Sequence, residues 1–161
     1  MKKRKINEIT FTPEMLRNLQ LIQVEILEEL DRICTKHNIK YSIDGGTLLG
    51  AVRHKGFIPW DDDIDVIMLR EEYEKFIEIC KTELDESRFF LQEHRTDPYY
   101  RVGYPRIRRK NTVYIRAGQE NMKHVTGVLI DIFVLDSTPS NWLLKYIHRA
   151  LCFCFRKILW S

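Results

Sequence analysis

One stretch limits the fold more than any other: Val128-Leu-Ile-Asp-Ile-Phe-Val-Leu135, an apolar octapeptide interrupted by a single acid, Asp131. A short run of this composition reads as a buried strand, which needs neighbouring strands and cover on its faces. A carboxylate inside it is expensive to desolvate. It requires a cation, a capping role or an ion pair with one of the chain's arginines.

A second acidic site lies upstream, in Asp61-Asp62-Asp63-Ile64-Asp65-Val66-Ile67-Met68. The second half reads as a strand, and its period of two puts Asp63, Asp65 and Ile67 on one face and Ile64, Val66 and Met68 on the other. Two carboxylates then stand side by side over an apolar sheet. Adjacent carboxylates repel and take up protons unless a cation lies between them, and hard oxygen ligands suit Mg²⁺. Before this run, Ile39 to Ile43 predicts a short strand leading into Asp44-Gly45-Gly46-Thr47. A short helix is expected from Leu48 to His54, closed by Gly56. Backbone N–H groups around Gly46 and Thr47 could cradle a phosphate, because glycine permits close approach and a helix N-terminus favours negative charge.

The remaining elements are scaffold. Thr12-Pro13-Glu14 has the form of a helix start, and the helix is expected to run to about His37 with Leu16, Leu19, Val24 or Gln23, Leu27, Leu30 and Cys34 inward and Glu25, Glu28 and Glu29 outward. Another helix is predicted from Arg70 to Leu84 with Tyr73, Phe76, Ile77 and Cys80 inward. Strands are expected at Phe89–Glu93, Tyr100–Arg108 and Thr112–Arg116. The stretch from Arg88 to Arg116 that holds them has eight basic residues against two acids, and so predicts an anion-binding segment. A net charge of +3 over 161 residues is too small to argue for nucleic acid as a partner. The four cysteines, Cys34, Cys80, Cys152 and Cys154, show no ligand-like spacing. The chain reads as a reduced, cytoplasmic protein, with Cys34 and Cys80 as buried free thiols in helices and a disulfide between them as the alternative.

Residues 141–161 project as an amphipathic helix with Lys145, His148, Arg149 and Arg156 on one side and Leu144, Ile147, Leu151, Phe155 and Ile158 on the other. So many basic groups argue against a membrane span. An interfacial helix in peripheral contact with the inner face of the membrane, or one whose partner lies outside the chain, fits better. The organisation expected is 1–38 as a basic start and helix, 39–139 as the catalytic core, and 140–161 as the amphipathic helix.

The segment from Tyr41 to Val66, with Gly45-Gly46-Thr47 and Asp61-Asp62-Asp63-Ile64-Asp65 at its two ends, resembles the signature of the LicD family of phosphotransferases, relatives of fukutin in the nucleotidyltransferase superfamily. The stretches Arg106–Thr112 and Ile130–Asp136 are similar too. The resemblance implies an α/β (α+β) fold, a nucleotidyltransferase-like mixed β-sheet flanked by helices. It also implies transfer of a phosphorylated alcohol, usually phosphocholine from CDP-choline, to a hydroxyl of a surface glycan of the lipopolysaccharide, teichoic acid or capsule type. By that pattern Asp63, Asp65 and Asp131 hold Mg²⁺ or Mn²⁺ and are the catalytic acids. Gly45, Gly46 and Thr47 bind the phosphate side, and Arg53, Asp61 and Arg106 join the substrate site.

Arg106 stands where the family pattern leads one to expect lysine, which keeps the charge and alters the geometry. The chain also ends one helix after its third carboxylate, so part of the acceptor site is expected to lie outside it. Two other classes compete. One is a nucleotidyltransferase that hands a nucleoside monophosphate to a small molecule through the same acids. The other is a binding module that docks on anionic polymer through Arg108 and Arg109. For choline, Trp60, Tyr99, Tyr100, Tyr104 and Tyr114 are the aromatic candidates for cation–π contact.

Overall fold

The computed structural model describes residues 11–116, 118–119 and 121–159. Helix α1 spans Pro13–Lys36, and the Thr12 hydroxyl accepts from the Met15 N–H at 3.2 Å as its cap. Its buried stripe is Leu19, Gln23, Ile26, Leu30, Ile33 and Cys34. The stripe is therefore turned from the expected one, since Leu16, Val24 and Leu27 are only half-buried. Glu29, expected outside, is buried. Arg32 grips its carboxylate at 2.7 and 2.8 Å and the Asp85 N–H donates to it at 2.9 Å, which makes the burial tolerable.

Five strands follow: β1 (Ser42–Ile43), β2 (Asp65–Leu69), β3 (Phe89–Gln92), β4 (Arg106–Arg109) and β5 (Leu129–Leu135). They form one sheet in the order β1-β2-β5-β4-β3, parallel only between β2 and β5. The sheet is mixed and flanked by helices, as expected. Helix α3 (Arg70–Glu83) buries Tyr73, Phe76, Ile77 and Cys80, the four residues its spacing predicts. Helices α1 and α3 pack together with the apolar face of the sheet, where Val66, Met68, Leu91, Ile107, Ile130 and Ile132 join Ile26, Leu30 and Phe76 in a single core. Cys34 and Cys80 lie in that core as free thiols.

Three expectations need correction. Helix α2 spans Gly45–His54, so the glycines form its first turn and do not precede it as a loop. It ends on Lys55, whose φ of 54° supplies the left-handed cap expected of Gly56. The basic strands are also shorter than expected. Strand β4 starts only after Pro105, which has no N–H to offer a ladder, and Asn111 at φ 60° turns the chain just beyond it. Thr112–Arg116 is not a strand. The Thr112 hydroxyl donates to the Arg109 carbonyl and accepts from the Val128 N–H, local bonds that replace a ladder.

Helix α4 covers Trp142–Leu159, with the Asn141 side chain accepting from the Leu143 and Leu144 N–H groups at its start. Residues 141–158 are all exposed. Among the described residues no helix is long and apolar enough to cross a membrane.

Candidate active site

The strand register lines up one row of polar side chains across four strands, on the face away from the helix-covered core. Asp65 of β2 is level with Asp131 of β5, Asp131 with Arg106 of β4, and Arg106 with Gln92 of β3. The Arg106 Nε donates to Asp131 Oδ1 at 2.6 Å, with both side chains almost fully buried. The ion pair weighed as the alternative for Asp131 is therefore present. Its other oxygen, Oδ2, lies 3.6 Å from the Arg116 guanidinium, which also stands 3.8 Å from Asp63.

The acidic run enters this row from the side. Gln20 and Gln23 of α1 donate to the backbone carbonyls of Asp61 and Asp62 at 3.0 and 2.9 Å, and Gln23 also reaches the Leu129 carbonyl at 3.2 Å. These two buried amides tie the acidic loop to β5. One oxygen from each of Asp61, Asp62 and Asp63 lies within 4.8 Å of the others. Asp65 and Asp131 stand outside that trio, and two arginines share the Asp131 carboxylate. Burial raises the pKa of Asp63, and neighbouring Asp61 and Asp62 add to it. Burial pushes Asp65 up to about 6, with Asp63 and Asp131 contributing. Burial followed by Asp62 does the same, in direction, for Asp61.

The start of α2 closes the site. Gly45 takes φ +54°, and a Cβ on Gly46 would lie 2.6 Å from Asp61 Oδ2, so a side chain there would push that carboxylate aside. The Thr47 hydroxyl accepts from the Asp65 N–H at 2.9 Å, fixing the helix start to β2. Asp44 occupies the cap position yet makes no capping bond through its side chain. Asp61 Oδ2 is buried without a hydrogen-bond partner. Raised carboxylate pKa values, an orphaned carboxylate oxygen and an all-oxygen donor set together describe a site that a hard divalent cation could occupy.

Of the expected site residues, Asp61, Asp63, Asp65, Asp131, Gly45, Gly46, Thr47 and Arg106 come together. Arg53 does not, being exposed in the last turn of α2, roughly 12 Å along the axis from the glycines at 1.5 Å per residue. The basic segment is not the anion surface expected. Arg106 and Arg108 are buried, Arg108 bonding to Gln92 and to the Gly127 carbonyl. Arg88 and Arg109 both reach Glu25 at 3.1 Å, and Arg95 pairs with Glu74 and Glu93. Nearby acids and carbonyls take up these charges, so docking through Arg108 is excluded by its burial.

Sequence alone gives Arg116, Gln20 and Gln23 no place in the site, although it sets Gln23 as a possible inward residue of α1 and Arg116 in the basic segment. The available signal was a polar residue at a core position of α1, and for Arg116 none beyond charge. Among the aromatic candidates, Tyr100 and Tyr104 have their rings against the Arg106 guanidinium at 5.9 and 5.2 Å, and Tyr99 faces Lys123 at 5.8 Å. Tyr114 stacks on Phe11 and its hydroxyl donates to Asp62 at 3.3 Å. Trp60, next to Asp61, is 77% exposed.

Residues 38–150 match a protein family described as LicD/FKTN/FKRP, nucleotidyltransferase domain. The lipopolysaccharide cholinephosphotransferase LicD of Haemophilus influenzae is 52% identical over 71 residues, 44% of this chain and 27% of that protein. An uncharacterized protein of Rickettsia typhi is 47% identical over 124 residues, 77% of this chain and 30% of its own length. The human ribitol 5-phosphate transferase FKRP is 33% identical over 70 residues, 41% of this chain and 14% of that protein. The matches thus span less than a third of each of these relatives.

Proposed function

From its membership of the LicD/FKTN/FKRP nucleotidyltransferase-domain family, to which this chain belongs, we propose that it carries the donor half of a phospho-alcohol transferase site. The reaction proposed is transfer of phosphocholine from CDP-choline to a hydroxyl of a surface glycan, with CMP leaving. The observation that carries the reading is the meeting of Asp63, Asp65 and Asp131 on one sheet face beside the start of α2. The names of the LicD and FKRP relatives, one a cholinephosphotransferase and one a ribitol 5-phosphate transferase, support the reaction class.

Asp63, Asp65 and Asp131 would hold Mg²⁺ or Mn²⁺, with Asp61 close by; when bound, the ion neutralises the acids and the pyrophosphate oxygens of the donor. The N–H groups of the first turn of α2 point toward a second phosphate, favoured by the helix dipole and by the lack of a side-chain cap at Asp44. Arg116 supplies positive charge where the phosphoryl group changes hands, and Arg106 fixes the orientation of Asp131. With Asp131 Oδ1 committed to Arg106, Oδ2, 3.6 Å from Arg116, is the oxygen that would face the ion. The work of these residues is positioning and charge compensation, the main need of phosphoryl transfer. Trp60 is the aromatic surface proposed for the choline ammonium.

Titration calorimetry with CDP-choline, with and without Mg²⁺, tests the proposal. Metal-dependent binding that Asp65→Asn removes is expected, followed by CMP as the product when acceptor glycan is added. Release of inorganic pyrophosphate from CTP would instead point to nucleotidyl transfer, and binding of CDP-ribitol in place of CDP-choline would change the donor alcohol.

A further inference from the structure

Helix α4 takes no part in the site described above. Its 18 residues contain Lys145, His148, Arg149, Arg156 and Lys157 and no acid. At 100° per residue, Leu143, Leu144, Ile147, Leu151, Cys154 and Phe155 share one broad arc, while Lys145, Arg149 and Arg156 cluster on the opposite one. Trp142, Tyr146 and Phe153 lie along one border between the two. Each of these side chains is exposed, Trp142 and Tyr146 most of all. Arg156 and Lys157 lean over the Phe153 ring at 5.9 and 5.8 Å, and none of the four lysines and arginines pairs with a carboxylate among the described residues.

An apolar arc this wide must be covered, and the charge on the opposite arc decides by what. A protein groove would cover the apolar side and make no use of the basic side, which water would solvate, and a second copy would add the same positive charge. An anionic lipid surface answers both at once, with acyl chains under the apolar arc, headgroups beside the cations, and the Trp and Tyr rings at the boundary where such rings settle. We propose that α4 is an interfacial helix that lies in the surface of an anionic bilayer, with Leu144, Ile147, Leu151 and Phe155 inserted and Lys145, Arg149 and Arg156 at the headgroups.

The test is flotation of the whole chain on phosphatidylcholine vesicles, alone or with about 30% phosphatidylglycerol. Strong binding to the anionic vesicles only, weakened by salt, is expected. Each basic side chain near such a surface contributes roughly fivefold to affinity, so Lys145→Glu/Arg149→Glu/Arg156→Glu should weaken binding by about a hundredfold. A second variant, Leu144→Asn/Ile147→Asn/Leu151→Asn, should also lose most of it. All six residues are exposed, so the thermal midpoint of both variants should match the parent. Failure to float on anionic vesicles would overturn the proposal. So would binding that survives in both variants, which would move the contact to the basic segment Lys2–Lys5. A stable dimer that only the asparagine variant dissociates, without vesicle binding, would make a second copy the occupant and overturn it too.

Discussion

Replacing Arg106 with methionine removes the positive half of a buried pair and leaves Asp131, which is 3% exposed, facing Asp65 across β2 and β5. Breaking a buried pair from one side costs about 3–5 kcal/mol, because the remaining charge keeps its desolvation penalty and loses its partner. The low end applies here, since Arg116 at 3.6 Å from Asp131 Oδ2 still offers partial neutralisation. A loss of about 3 kcal/mol should lower the thermal midpoint by about 6–12 °C in a chain of this size. Removing both charges, in Arg106→Met/Asp131→Leu, should return stability to within about 1 kcal/mol of the parent, because a well-packed apolar pair replaces a desolvated one. The Tyr100 and Tyr104 rings already flank Arg106 and would accept methionine. Urea unfolding of both single variants, Arg106→Met and Asp131→Leu, and of the double variant in EDTA measures the cycle without divalent cations. If the double variant were as unstable as the sum of the two singles, the pair would be two independent packing contacts and the electrostatic account of Asp131 would be wrong.

Three further outcomes are expected. Gly46→Ala should raise helix stability by up to about 1 kcal/mol on propensity, yet its Cβ would displace Asp61 from 2.6 Å and weaken Mg²⁺ binding, read by calorimetry beside a thermal melt. Asp65 has a folded pKa of about 6, raised by burial and then by Asp63 and Asp131, so ionising it costs stability as pH rises from about 4 through 6. Asp65→Asn should therefore melt above the parent at pH 8 in EDTA, with the gap closing toward pH 4; a gap independent of pH would refute the shift. Burial pushes the Cys34 and Cys80 thiols up to about 12, whereas Cys152 and Cys154 are exposed. Ellman's reagent should label only the latter pair in native protein and all four in denaturant.

What could be read along the chain was local. The Thr12 cap, the Tyr73-Phe76-Ile77-Cys80 stripe and the alternation that puts Asp63 and Asp65 on one face all depend on neighbours a few residues away. The partner of Asp131 depends on sheet order and register, which place β5 between β2 and β4, and no period within a segment carries that information. The burial of Arg106 and Arg108 was hidden for the same reason, because a basic stretch looks solvated until the sheet that encloses it is known. Glu29 went inward against its composition because Arg32 and the Asp85 backbone satisfied it. The glutamines of α1 carried a signal, a polar residue on an apolar stripe, but their acceptors are carbonyls some forty residues away.

The strand at the middle of the sheet is also the last of the five to be made. A ribosome extends α1, β1, α2, β2, α3, β3 and β4 before β5 leaves the exit tunnel, and until then β2 and β4 have no strand between them. The early elements must wait with open edges, and the pairing that completes the sheet spans more than sixty residues of chain. The step that inserts β5 delivers Asp131 to Asp65 and Arg106 together. The nascent polypeptide therefore gains the Asp131 neighbour of Asp65 only once its central strand is in place.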